Sequence, residues 1–246
     1  MKKLLSSRFS RLGAMAAVAG VLALGVWTPA QAESVRLGAD YWKLESTVSF
    51  PGTTPGDQFI AGAAATVRGS VSILPNLVTE LQYATAPGLA GQQDNQKFSV
   101  DSSQLLVNAS YLVLNQGALK VGPSVGYLTA DNGFIWGSGA SAVKYNVRSS
   151  GLLVGGRAIV TLTPGLTVQA QALYGPRVTV KDDSGKTPPE YTSTYVDLQG
   201  AVSYAIWSGI NLEAGYRQMM QTAKKDSAEL WAQRSGGLFA GVRIEF

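Results

Sequence analysis

The 246-residue sequence contains neither cysteine nor histidine. Without cysteine there is no disulfide framework, no thiolate metal site and no lipid-anchored thiol. Without histidine, the side chain most used for proton transfer near neutral pH is missing. Beyond the first segment there is also no run of about 18 consecutive apolar residues, so a bundle of membrane-spanning helices is excluded. A net charge is absent too, once that segment is set aside. The chain's 20 Lys+Arg exceed its 16 Asp+Glu only through Lys2, Lys3, Arg8 and Arg11. From Glu33 onward the two signs balance, so the basic total gives no support to nucleic-acid binding.

What is present begins with MKKLLSSRFSRLGAMAAVAGVLALGVWTPAQAES. The four cations form a positive start, Leu12 to Trp27 an apolar core, and Ala30-Gln31-Ala32 a small-x-small site. This is the layout of a secretory signal peptide, with the cut expected after Ala32. An uncleaved anchor is the alternative, disfavoured by the Pro29 break and the cleavage site. Residues 1–32 are therefore set aside, and 33–246 suit one all-β domain.

Within that domain short turn signals recur: LPN at Leu74–Asn76, NQG at Asn115–Gly117, TPG at Thr163–Gly165 and WSG at Trp207–Gly209. They stand roughly 45 residues apart, a period that marks one repeated supersecondary unit. Between them lie longer polar or Gly-rich stretches, near Glu45–Asp57, Ala86–Lys97, Ala130–Lys144, Pro176–Glu190 and Gln221–Ser235, read as long loops. Each unit is a strand, a long loop, a returning strand and a tight turn. Five units predict ten strands. The odd ones fall near Val35–Leu44, Leu77–Thr85, Leu119–Leu128, Leu166–Tyr174 and Ile210–Gln218. The even ones fall near Ile60–Ile73, Leu105–Leu114, Leu152–Leu162, Tyr195–Ile206 and Gly237–Phe246. Apolar residues alternate along them, as in FAGVRIEF at the C-terminus, which marks a strand with one apolar face.

The odd strands share a further feature. LGADYW, ELQYAT, SVGYLT, QALYGP and EAGYRQ place Tyr41, Tyr83, Tyr127, Tyr174 and Tyr216 near the loop end, in phase with each strand's apolar set. Five tyrosines at one height on an outward apolar face make an aromatic girdle, ring body in lipid and hydroxyl among headgroups.

The signal segment, alternating strands, tyrosine ring and FAGVRIEF together resemble the small bacterial outer-membrane β-barrels. The resemblance covers nearly all of 33–246 and identifies a class, not a member. It implies a transmembrane antiparallel up-and-down barrel in the outer membrane, with lipid around it. It also implies assembly by the barrel-assembly machinery, which in that class reads a terminal aromatic preceded by alternating apolar residues. Here those are Phe246, Ile244 and Val242. One residue resists: Pro123, inside KVGPSVGY, cannot donate to a ladder, and a closed barrel has no edge for it. A bulge or locally broken pair is expected there. If that segment were no strand, eight or twelve strands would be the alternatives to ten.

The opposite phase faces the lumen. It carries Arg36, Asp40, Arg68, Glu80, Lys120, Arg157, Asp197, Glu213, Arg217, Arg243 and Glu245, with Gln82, Gln104, Asn108, Ser124, Gln169, Gln171 and Gln199 among them. Mixed signs predict ion pairs across the lumen and argue against strong ion selectivity. Ten strands lie near the size that side chains just fill.

Known barrel enzymes of this membrane, phospholipases, lipid A deacylases and aspartate/histidine proteases, rely on histidine, so no enzyme is expected. No cofactor or metal is expected either. Asp182-Asp183 in KDDSGK lacks the spacing of a Ca²⁺ loop, and Gly155-Gly156 has no following helix to form a phosphate loop. NGFIWGSGAS puts Phe134, Ile135 and Trp136 in a presumed loop, as partner contacts or as infolded residues. KKDSAELWAQR is predicted as a short helix capped by Asp226 or Ser227. Two functions stay open: a narrow porin-like channel or closed structural barrel, with small solutes as its traffic, or a surface adhesin or receptor whose loops meet a ligand.

Overall fold

A computed structural model describes residues 34–49, 57–93, 96–137, 142–182, 190–225 and 228–246; the proposed signal segment lies outside them. Among the described residues every element is a strand: β1 (Ser34–Ser49), β2 (Gln58–Leu74), β3 (Leu77–Gln93), β4 (Gln96–Tyr111), β5 (Leu114–Gln116), β6 (Leu119–Trp136), β7 (Val143–Thr163), β8 (Leu166–Asp182), β9 (Glu190–Trp207), β10 (Ile210–Lys225) and β11 (Ala228–Glu245). β4 and β5 are two pieces of one stave. Ten antiparallel staves therefore close into a barrel, each paired with its neighbours in sequence. β11 returns to β1 in a register running from Arg36↔Glu245 to Ser49↔Ala232.

The four turn signals each become a two-residue connection: Pro75-Asn76, Gly117-Ala118, Pro164-Gly165 and Ser208-Gly209. Gly165 and Gly209 sit at φ 91° and 77°, a region that L side chains rarely enter and that Gly supplies without steric cost. These turns mark the lower end of the barrel.

Pro123 is accommodated as expected, but its neighbour takes up the irregularity. β6 runs unbroken through Pro123, which faces Gly156 on β7. On the other side the ladder steps from Ser110↔Ser124 to Leu114↔Val121, so β4–β5 carries one residue too many. That bulge separates β4 from β5. The Leu112 amide, out of the ladder, donates instead to the Asn76 carbonyl at 2.7 Å.

Over their described parts, the long stretches read as loops are strand instead. Staves run 16 to 21 residues, except where β4 and β5 divide one, whereas ~9–11 suffice to cross a bilayer. The presumed loop segments 45–49, 86–93, 130–136, 176–182 and 221–225 extend the strands upward. The cause is a change of phase. In β1 the outward residues are Leu37, Ala39 and Tyr41, then Lys43, Glu45 and Thr47. The inward ones are Arg36, Gly38 and Asp40, then Trp42, Leu44, Ser46 and Val48. Below the tyrosine the apolar phase points out; above it the apolar phase points in. The strand continues while its amphipathic sense inverts.

The same logic overturns two local expectations. Phe134, Ile135 and Trp136 lie on β6, not in a loop. Lys224–Arg234 forms no helix over its described part, since β10 runs to Lys225 and β11 starts at Ala228; Asp226 and Ser227 lie outside the described residues. Strand geometry sends Trp231 into the barrel, where its indole N–H donates to the Tyr191 hydroxyl at 2.6 Å. Burying so large a ring outweighs a weak helical preference.

Candidate functional site

The lower lumen holds four arginines and four carboxylates, all buried: Asp40 (β1), Arg68 (β2), Glu80 (β3), Arg157 (β7), Asp197 (β9), Glu213 and Arg217 (β10) and Arg243 (β11). Each reaches the lumen through strand alternation alone, from seven different strands. Arg68 meets Asp40 at 2.6 Å and Glu213 at 3.3 Å. Arg243 grips both oxygens of Glu213, Nε at 2.6 Å and a terminal nitrogen at 2.7 Å. Arg157 donates to Glu80 at 2.9 Å and to the Gln169 carbonyl at 3.2 Å. Gln169 in turn donates to Glu213 at 3.0 Å, which ties the two ion-pair groups together. Arg217 binds Asp197 through both nitrogens of its fork, at 3.0 and 2.5 Å.

Signs cancel within this layer. That is the condition under which charges can be buried at all, because an unpaired ion removed from water costs several kcal/mol, on the order of the whole stability of a domain. Aromatic faces cap two of the cations: the Arg68 guanidinium lies 4.9 Å over the Phe239 ring and that of Arg217 5.5 Å over Trp42. The space left among Arg68, Glu80, Arg157, Gln169 and Arg243 is about 10 Å³, room for at most one water.

Above this layer the lumen is filled by apolar side chains. One cluster joins Trp42, Val48, Ile60, Leu89, Phe98 and Phe134, among others. A second joins Leu106, Leu128, Leu153, Leu173 and Val178. Phe98 stacks on Phe134 at 6.0 Å between ring centres and meets Trp136 edge-on at 4.7 Å. Between the clusters runs a polar seam. Gln221 donates to Ser149 and Ser193, both at 2.9 Å, and the Tyr195 hydroxyl donates to Gln104 at 3.3 Å. The void beside Gln104, Asn132, Tyr195, Gln221 and Ser235 measures about 30 Å³.

The structure thus brings together eight of the eleven charged residues predicted to line the lumen. The other three stand at its lower rim: Arg36 pairs with Glu245 at 2.8 Å in partial exposure, and Lys120 is half-buried. On the outer face Tyr41, Tyr127, Tyr174 and Tyr216 are well exposed, as a girdle requires. Tyr83 keeps the outward register opposite Val67 and Leu105 but is only 8% exposed. Val242, Ile244 and Phe246 are exposed on the same face. Phe134 is buried and Ile135 and Trp136 half-buried, so this trio contributes less free surface than a loop would.

Two features escaped the sequence reading. One is the apolar plug, whose signal was the continued alternation Trp42-Leu44-Ser46-Val48 in the opposite phase. The other is a group of exposed aromatics near the lower end, Tyr111 on β4 and Tyr204 and Trp207 on β9.

No family model matches the chain, and no curated protein matches it by sequence. Solved structures do match by shape. The chain is similar to the outer membrane protease OmpT from Escherichia coli, with a TM-score of 0.63 and 12% identity over 87% of this chain and 97% of that one. It is also similar to the translocator domain of the autotransporter NalP from Neisseria meningitidis, with a TM-score of 0.49 and 12% identity over 98% of both chains. The fold is that of the small outer-membrane β-barrels.

Proposed function

We propose that this protein is an outer-membrane barrel with a closed lumen, a structural and surface element of the envelope rather than an open pore. The observation that carries this reading is the filling of the lumen in two successive layers, the ion pairs below and the apolar plug above. Two voids within the described part of the lumen are about 10 and 30 Å³, too small for solute passage. Membrane placement is supported by the exposed apolar belt between the four exposed upper tyrosines and the lower Tyr111, Tyr204 and Trp207, a surface that water would not tolerate over so large an area. Export through the 1–32 signal and assembly through Val242, Ile244 and Phe246 complete the reading.

The wall above the tyrosine ring extends the staves outward and presents a polar face, and contact with other molecules at the surface is assigned there. No catalytic role is assigned. Each buried carboxylate of the lower layer is engaged by an arginine, and the chain has no histidine to serve as base. A narrow channel is the second reading, favoured by the polar seam through Gln104, Tyr195 and Gln221.

Single-channel recording of the folded protein in a planar bilayer separates the two. The closed reading expects silence. Discrete steps that change in the Arg68→Ala and Arg157→Ala variants would establish the channel instead. Cleavage after Ala32 is checked by sequencing the N-terminus of protein recovered from the outer membrane.

A further inference from the structure

Above the tyrosines, neighbouring staves shape a polar hollow on the outer wall. In β1, β10 and β11 the outward phase sets Thr47 and Met220 on either side of Arg234, and Ser49 and Thr222 on either side of Ala232. Ala232 is the smallest of these side chains and leaves a floor between two hydroxyls. Thr47, Ser49, Asp57, Thr222, Ala232 and Arg234 line a concavity of about 300 Å³. That lies at the small end of the ~300–1,000 Å³ of ordinary ligand sites.

The hollow holds two charges of opposite sign that do not meet. Arg234 and Asp57 are both exposed, and among the described residues neither makes an ion pair. Elsewhere on the upper wall exposed charges do pair, Lys43 with Glu45, Arg148 with Asp131 and Lys181 with Glu190. A guanidinium and a carboxylate left apart in one hollow offer strong donors and strong acceptors with no net charge. The hydroxyls of Thr47, Ser49 and Thr222 serve as either. Beside them Phe59 faces outward as the register partner of Thr47 and is 59% exposed. One exposed ring is ordinary on a protein surface. This one stands at the edge of the hollow, two residues from Asp57 and in the same phase.

We propose that this hollow binds a neutral saccharide, with sugar hydroxyls on Asp57 and Arg234 and one face of the sugar against Phe59. The proposal deepens the surface-contact reading above and rests on it. A sugar hydroxyl donates to a carboxylate and accepts from a guanidinium at once, and both bonds are charge-assisted. The C–H groups on one face of a pyranose ring give an apolar surface for an aromatic side chain. A simple anion would be repelled by Asp57 and a simple cation by Arg234, so the two opposite charges select against both.

The test uses the full barrel folded in an amine-oxide detergent, which carries no sugar to compete. Fluorescently labelled protein is applied to an array of immobilised neutral and anionic glycans. The dissociation constant for the brightest neutral glycan is then measured in solution. The expected result is binding to neutral glycans, weakened roughly tenfold in each of Asp57→Ala, Arg234→Ala and Phe59→Ala. All three alter exposed side chains, and heat-dependent gel mobility reads their folding. Arg148→Ala, an exposed cation on β7 outside the hollow, should bind as the parent does. Binding to no neutral glycan, binding to anionic glycans alone, or affinity unchanged in the three variants overturns the proposal. The surface reading is checked separately with Lys181→Cys, at an exposed position of the upper wall. The chain has no other cysteine, so a membrane-impermeant maleimide on intact cells reports that position alone. A labelled chain that binds no glycan refutes this site only, whereas an unlabelled one refutes the surface reading and the site with it.

Discussion

Glu213 is the carboxylate on which the lower layer converges, and its removal should be costly out of proportion to its size. It is 2% exposed and takes hydrogen bonds or ion pairs from Arg243, Arg68 and Gln169. In Glu213→Ala, Arg68 keeps Asp40 at 2.6 Å. Arg243 keeps no carboxylate in ion-pair range among the described residues. Breaking a buried pair by deleting one member costs ~3–5 kcal/mol, mostly from the charge left behind. The expected loss is therefore about 3 kcal/mol, roughly a hundredfold in the folding equilibrium. The control is Arg36→Ala at the rim. That pair is 44% and 34% exposed in its side chains, solvent screens it, and its loss should cost no more than ~1 kcal/mol. Deleting both partners, Glu213→Ala with Arg243→Ala, should recover part of the loss, because no lone charge then remains. The assay is urea unfolding in lipid vesicles, followed by tryptophan fluorescence and by the mobility of unboiled samples on gels. A Glu213→Ala loss within ~1 kcal/mol of the Arg36→Ala loss would refute the argument that this layer is a buried, mutually neutralised network.

Further outcomes follow from the same geometry. Phe98→Ala removes a ring 1% exposed that packs on Phe134 and Trp136; unfolding in urea should show a loss of ~3–5 kcal/mol. A Cβ at Gly122 would collide with the Tyr111 backbone, its carbonyl carbon 2.6 Å away, whereas one at Gly200 meets nothing within 4 Å. Gly122→Ala should therefore lower the melting temperature and Gly200→Ala should leave it unchanged; equal effects would contradict the bulge opposite Pro123. Phe246→Ala trims a side chain that is 73% exposed. It should slow assembly in cells, read as the rate at which the compact gel form appears, while the urea midpoint of the assembled barrel moves little. Glu213→Ala should remain silent in planar bilayers, because the apolar layer above still closes the lumen.

Much of the fold could be read from residue order alone. Turn chemistry located all four tight turns, because Pro and Gly act on their own backbone and need no distant partner. Period-two alternation assigned inward and outward faces, and in a barrel wall that assignment is the main constraint on each strand. The lumen charges followed from the same count, since a strand side chain has only two directions to take. Where alternation kept its period but changed its sense, the reading stopped short. Beyond Tyr41, Leu44, Ser46 and Val48 keep the beat, but the apolar members now share the phase that Asp40 had set as polar. A rule that equates the apolar phase with the outside ends the strand there.

What residue order determined is therefore the wall: a closed ring of alternating strands, its tight turns, tyrosines in the outward phase and an inward set of balanced charges. Each of those follows from chemistry within one strand or one turn. What the tertiary structure decided is the filling. Arg157 meets Glu80 and Gln169 meets Glu213 only because the closed ring brings distant strands face to face. Trp42, Phe98 and Phe134 turn inward because above the girdle the outer face meets water, and the one apolar space left is the lumen itself.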